Sequence, residues 1–156
     1  MTKILFTLFC AISLAFNVYA YRPDYDVRTL SNVSVERLDA KFKGSRLQGT
    51  GKYFIAAQKK YGVNAVFLAA VAMHESANGT SRLARTKNNF FGLRGKNGMM
   101  SFKSPEACIM YTAELISRKR GNYFGKGRYT IKSIGKKYAS SKHWATRVAK
   151  HMKQFG

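Results

Sequence analysis

Carboxylates are what this sequence has least of: 7 Asp and Glu stand against 28 Lys and Arg, a formal net charge of +21. Cysteine is nearly absent as well. Of the 2 cysteines, Cys10 lies in the apolar N-terminal stretch, so Cys108 is left without an internal partner and the fold must be held by its core. Cys108 reads as a small buried apolar residue. Past residue 20 the longest run without a polar side chain is Ala65 to Met73, far short of the roughly 20 residues needed to cross a bilayer. There is no G-x-S-x-G elbow, no glycine loop of the phosphate-cradling kind, no internal repeat and no low-complexity tract. These absences remove nucleophilic triads and nucleotide binding from the first rank of readings.

The first twenty residues have the layout of a secretory signal peptide. Lys3 is their only charge, Ile4 to Phe16 form an apolar core, and Val18-Tyr19-Ala20 makes a small-x-small cleavage site. We therefore expect residues 1–20 to be removed, with no stable membrane anchor afterwards and a periplasmic or secreted product. The remaining 136 residues carry 27 basic and 7 acidic side chains, net +20, and suit one compact domain. A surface this positive seeks polyanions. Export argues against nucleic acid as that partner and for anionic polymers of the cell envelope.

The pattern divides residues 21–50, an N-terminal leader that either packs on the domain or lies loose, from a domain over 51–156. A short helix is expected over Val35 to Phe42, and an amphipathic one over Lys52 to Tyr61 with Phe54, Ala57 and Tyr61 inward and Gly62 as its stop. Asn64 is a good N-cap for the apolar helix that follows. That helix is apolar on all sides, reads as the buried centre of the fold, and ends near Ala77, before the Asn78-Gly79 turn. Thr80-Ser81 cap a short turn through Leu83. Asn88 to Leu93 form a loop, and Gly95-Lys96-Asn97-Gly98 turns a small hairpin that runs on through Met99 to Lys103. Ser104-Pro105-Glu106 starts a helix with Ala107, Cys108, Tyr111 and Leu115 inward, dissolving at Arg118. Asn122 to Tyr129 is a basic, aromatic loop. Thr130 caps a helix to Tyr138, and Lys142 to Phe155 forms the last, with Trp144, Val148, Met152 and Phe155 on one face. The fold class is mainly α (α+β): five to six helices around a buried central helix, with one small hairpin.

His74-Glu75 at the exit of the central helix invites a zinc-protease reading. H-E-x-x-H requires a second histidine where Asn78 stands, and His143 and His151 show no metal-ligand spacing, so no metal is expected. With nucleophiles and metals set aside, the few carboxylates become informative. Asp24, Asp26, Glu36 and Asp39 lie in the leader, Glu106 is a first-turn helix residue, and Glu114 neighbours a basic helix end. Only Glu75 sits between a buried helix and a loop rich in glycine and amides, where desolvation can favour the protonated acid that general acid catalysis needs. From residue physics alone it is equally a helix-end carboxylate paired with one of the many basic residues.

Two motifs narrow that choice. Glu75-Ser76-Ala77-Asn78-Gly79-Thr80-Ser81-Arg82-Leu83-Ala84, followed by Asn88-Asn89-Phe90-Phe91-Gly92, resembles the E-S-x-x-G-x-S-x-x-A … N-N-x-F-G signature of the bacterial peptidoglycan-cleaving endo-β-N-acetylglucosaminidases, glycoside hydrolase family 73. Tyr138-Ala139-Ser140 … Trp144 is similar to that family's Y-A-[ST]-D-x-x-Y element. The resemblance runs from about Gly51 to Met152. It implies a lysozyme-like fold with a groove for the glycan strand, Glu75 as general acid, and Tyr138 as the active-site tyrosine that steadies positive charge or holds the attacking water. Asn89, Phe91 and Gly92 map onto the groove wall, Phe91 as a face for a sugar ring. Ser81 and Trp144 complete the expected site, Ser81 chiefly as loop support.

The sequence departs from the family where Ser141 stands for an aspartate and Trp144 for a tyrosine. No acid lies from Ser76 to Pro105, so a second carboxylate would have to come from Glu106, Glu114 or the leader. The expected scheme therefore has one acid, completed by the substrate's own N-acetyl group or by a water held at Tyr138. The resemblance implies peptidoglycan glycan strands as substrate, and we expect no cofactor and a monomer. Competing readings are a lytic transglycosylase, for which a G-L-M-Q type of motif is missing, and a non-enzymatic cationic protein binding wall or membrane.

Overall fold

The computed structural model describes residues 21–117 and 129–156. The signal-peptide reading and the expected loop over residues 122–128 lie outside the described residues. The helices are α1 (Val35–Phe42), α2 (Gly51–Tyr61), α3 (Ala65–Glu75), α4 (Arg82–Lys87), α5 (Pro105–Ser117), α6 (Ile131–Tyr138) and α7 (Trp144–Met152), which runs into a 3-10 turn, Lys153–Phe155. Between α4 and α5 lies an antiparallel hairpin of β1 (Arg94–Gly95) and β2 (Gly98–Met99), in register Arg94↔Met99 and Gly95↔Gly98. The mainly helical class with one small hairpin is as the patterning predicts. The helix count among the described residues is seven, because Ser81 starts a full short helix where a single turn is expected.

α3 is the axis of the core. Its residues from Ala65 to Met73 are all buried, and it packs against α7 on one side and α2 on another, with α2 in turn covering α5. Full burial of side chains such as Phe67 and Leu68 stabilises by about 1.5–3 kcal/mol each. Asn64 caps the start, its Oδ1 accepting from Phe67 N at 2.9 Å.

Of the two placements open to residues 21–50, the structure has the packed one. Tyr21, Val27, Leu38, Phe42 and Leu47 are buried in the same core. The strand-like stretch at Asp26 bridges Thr130, with Val27 N donating to Tyr129 O at 2.9 Å and Lys132 N to Pro23 O at 2.7 Å. The leader therefore clamps the start of α6.

Three local expectations shift. α3 stops at Glu75 rather than near Ala77, since Ala77 and Asn78 take positive φ angles of 50° and 55°, which no right-handed helix tolerates. The fully buried face of α5 is Cys108, Ile109, Thr112, Ala113 and Ile116; of the expected stripe Cys108 lies on it, and Tyr111 and Leu115 pack against the core from its partly buried edge. Tyr111 also meets Phe102 of the hairpin flank, ring centroids 5.6 Å apart. α7 begins at Trp144, because His143 N and Trp144 N are taken by Ser141 Oγ and Ser141 O. Among the described residues no helix is long and apolar enough to cross a membrane.

Candidate active site

The C-terminal end of α3 is closed by a knot of backbone turns. Asn78 N donates to Met73 O at 2.8 Å, the long bond of a Schellman-type cap in which Ala77 occupies the left-handed position that glycine usually fills. Ser76, fully buried, donates from Oγ to Ala72 O at 2.5 Å and accepts from Gly79 N at 2.7 Å. Ser81 N then returns to Ser76 O at 2.9 Å, and the Ser81 side chain caps α4 by accepting from Ala84 N. Three successive residues, Ala77, Asn78 and Gly79, have positive φ. Two of them carry side chains, and strain of this kind concentrates beside functional groups. Glu75 is held half-buried at this point.

Asn88 takes a left-handed conformation to end α4, and Asn89 then fixes the following turn. Asn89 is buried; its Nδ2 donates to Leu93 O and Met100 O, both at 2.9 Å, and its Oδ1 accepts from Leu93 N at 3.0 Å. Both amide hydrogens and the amide oxygen tie the turn to the flank of the hairpin. Phe91 is likewise buried, at 1% exposure, so its ring presents no face to a sugar. Its contribution is the main-chain carbonyl, which accepts from Tyr138 Oη at 2.6 Å. Gly92 (φ +64°) lies against the catalytic candidate, and a Cβ there would come 3.6 Å from Glu75 Oε2. The space would admit a methyl group; the backbone angle is what favours glycine.

α6 and α7 complete the arrangement. Trp144 is buried, and its Nε1–H donates to Glu75 Oε1 at 2.6 Å. Tyr138 stacks on the same indole, centroids 5.2 Å apart at 27°. Gly135 makes room for it: a Cβ at that position would stand 2.7 Å from Trp144 Cε3. The circuit closes on itself, from Glu75 through Trp144, Tyr138 and the Phe91 carbonyl to Gly92 and back to Glu75. It draws together the end of α3, the turn after α4, the end of α6 and the start of α7.

The structure thus brings Glu75, Tyr138, Trp144, Phe91 and Gly92 together, while Ser81 and Asn89 shape the loops around them. Gly135 was not expected, though a glycine inside a helical pattern, costing about 1 kcal/mol, is a signal of close packing. The Phe91 carbonyl carries no side-chain signal at all. His74 lies in the last turn of α3, with its ring 5.7 Å from that of His151. Among the described residues no group of three or more His, Cys, Asp or Glu could hold a metal ion.

The indole N–H can only donate, so Oε1 serves as an acceptor and the proton of the neutral acid belongs on Oε2, the oxygen beside Gly92. Three acids of the leader are used elsewhere: Asp24 pairs with Arg22 at 3.4 Å, Asp26 binds Arg28 at 2.6 Å, which holds its carboxyl below the usual range, and Asp39 accepts from Gly51 N at 2.8 Å to start α2.

The chain is similar to known proteins in sequence and in fold. Residues 51–156 match the Glucosaminidase family model, described as mannosyl-glycoprotein endo-beta-N-acetylglucosaminidase. A putative endo-beta-N-acetylglucosaminidase of Streptococcus pneumoniae is 29% identical over 141 residues, 81% of this chain and 21% of that protein; the chain thus spans about a fifth of the curated relative. Among solved structures, a catalytic mutant of S. aureus Autolysin E with a glutamate replaced by alanine, in complex with the disaccharide NAG-NAM, superposes with TM-score 0.71 at 26% identity. It covers 85% of this chain and 71% of its own. Autolysin E in complex with the muropeptide NAM-L-Ala-D-iGlu gives TM-score 0.69 at 25% identity, covering 92% and 76%. With its match spanning most of the chain and its site built around the Glu75 end of α3, the chain belongs to the Glucosaminidase family of glycoside hydrolases.

Proposed function

We propose that this chain is an exported peptidoglycan hydrolase that cuts the glycan strand at the β-linked N-acetylglucosamine, with Glu75 as general acid. The observation that carries the reading is the single hydrogen bond from Trp144 Nε1 to Glu75 Oε1. It fixes the carboxyl so that Oε2 carries the proton and delivers it to the leaving glycosidic oxygen, a contribution of about 10²–10⁴ in rate. The autolysin relatives support the substrate class, since their complexes hold NAG-NAM and a muropeptide, and one of them was crystallised as a catalytic glutamate mutant.

Glycosidases with two catalytic carboxylates place them about 5–9.5 Å apart. Here Tyr138 supplies the second group instead. Its O–H donates to Phe91 O, which fixes the phenolic group beside Trp144 as the holder of the attacking water, and the substrate's N-acetyl oxygen is the alternative internal nucleophile. The basic surface, net +20 once residues 1–20 are removed, concentrates the enzyme on anionic wall polymers and makes binding fall with salt.

Digestion of purified peptidoglycan followed by mass spectrometry of the new ends tests the reading. Reducing N-acetylglucosamine ends are expected. Anhydro-sugar ends would replace it with lytic transglycosylation, and reducing N-acetylmuramic acid ends would overturn the bond assignment. N-terminal sequencing of the exported protein should begin at Tyr21; an intact residue 1 in that fraction would contradict signal cleavage.

A further inference from the structure

On the face of α7 away from Trp144, Val148 and Met152, the residues Arg147, Lys150, His151 and Gln154 recur at helical spacing and continue into the 3-10 turn. They line an open hollow of about 340 Å³ together with His74 of α3. Every lining side chain except Gln154 is a cation or becomes one on protonation, and no acid lines it. Neither Arg147 nor Lys150 takes part in the ion pairs found among the described residues, which are Arg22–Asp24 and Arg28–Asp26. Like charges gathered without counter-charge repel one another. Burial chiefly, and then the neighbouring charges of His74 and Lys150, hold the His151 ring below the ordinary histidine range.

We propose that this hollow is an oxyanion site, taking a phosphate group between the Arg147 guanidinium, Lys150 and the two imidazoles. A guanidinium matches two phosphate oxygens at once, and the lysine adds a point charge. Gln154 Nε2 lies 3.2 Å from His151 Nδ1; the neutral ring accepts there and carries its proton on Nε2, and protonation turns both ring nitrogens into donors.

The groups that bear on His151 come from three elements. α3 brings His74 and then Glu75, whose Oε1 is taken by Trp144. α7 brings Arg147 and Lys150, with His143 exposed at its start, and the 3-10 turn brings Gln154 and the exposed Lys153. On α6, Lys132 and Lys136 line a separate hollow on the far side of Trp144, and Lys137 is exposed. A bound anion relieves the repulsion among His74, Lys150 and His151, so binding takes up protons and tightens as pH falls through the histidine range.

The test is an NMR titration of the histidine ring protons of the exported chain with inorganic phosphate, and in a second arm with the diester glycerophosphoglycerol. Saturable shifts at both His74 and His151 are expected, with millimolar affinity about tenfold tighter near pH 5.5 than near pH 8. Arg147→Gln should weaken binding at least about fivefold at both pH values, whereas His151→Gln should flatten the pH dependence and keep the residual affinity. Lys132→Gln, in the other hollow, should change nothing. Binding of phosphate alone assigns the site to a free or terminal phosphate, and binding of both assigns it to a phosphodiester chain; either sustains the site. Histidine signals that do not saturate by about 50 mM phosphate near pH 5.5, or that shift equally in Arg147→Gln, would overturn it. Arg147 is exposed, so its replacement leaves the core untouched.

Discussion

At its N-terminal end α3 is anchored by a dense set of neutral hydrogen bonds. Asn64 accepts from Phe67 N and donates to Thr29 O at 2.5 Å and Tyr25 Oη at 3.3 Å. Gln58 Oε1 accepts from Ala65 N at 2.7 Å and from both Ser31 N and Ser31 Oγ at 3.0 Å, while its Nε2 donates to Ser31 O. At the other end of the same 11-residue helix, the backbone is turned through three left-handed residues and a carboxylate is left half-buried with one indole donor. One end satisfies every buried group at no cost in strain. The other accepts strain to hold an acid between Trp144 and Gly92. Stability and chemistry have been separated along 16 Å or so of helix, and that separation is open to experiment.

The largest stability effect belongs to the anchored end. Asn64→Ala removes a cap and leaves Phe67 N unpaired in the interior, while Thr29 O keeps Tyr25 Oη, so about 2 kcal/mol should be lost in denaturant unfolding, with activity per folded molecule unchanged. A matching loss of turnover would show that the two ends are coupled. Next, Trp144→Phe keeps the stack on Tyr138 and removes the N–H donor. Turnover should fall about tenfold, the worth of one hydrogen bond to a charged group at about 1.5 kcal/mol, while KM stays nearly constant. Ala77→Gly relieves the left-handed strain and should stabilise by about 1 kcal/mol. If activity falls with that gain, the strain itself positions Glu75.

A smaller effect tests the core that both ends share. Cys108 is buried, and burial pushes its thiol up to about 12. The neutral thiol is thus the form the fold favours, so its contribution to stability is present below the unfolded thiol's ordinary range near 8.5 and fades as pH rises from there toward 12. Thiol-reagent labelling at about pH 8 should be slow in the native state and fast in denaturant; rapid native labelling would mean the α5 face is open.

Much of this was legible in the chain. Helix α3 was visible because an all-apolar run of that length has one physical use in a small domain, and Asn64 and Gly62 marked its neighbours' limits. Glu75 stood out by the scarcity of acids, and the motif through Gly92 supplied the rest. What stayed hidden was contact between segments far apart in sequence. Periodicity cannot say that Trp144 reaches Glu75, that Tyr138 is tied to a main-chain carbonyl, or that Phe91 turns its ring into the core. Nor does it show His74 and His151 sharing a hollow, since their separation carries no recognisable ligand spacing. The inward stripe of α5 was only partly legible for a related reason: Cys108 is buried and Tyr111 and Leu115 pack at the core's edge, while Ile109 and Ile116 take the fully buried places, a choice that contacts with other segments make.

The most direct test replaces Glu75 with glutamine, which preserves shape and the Trp144 hydrogen bond and removes the acid. Trp144 is the only tryptophan, so intrinsic fluorescence reports the site's integrity in the same sample. A fall in peptidoglycan hydrolysis of at least about 10²-fold, with thermal stability and wall binding unchanged, is expected. Near-normal hydrolysis by a folded Glu75→Gln protein would contradict the assignment of Glu75 as the acid.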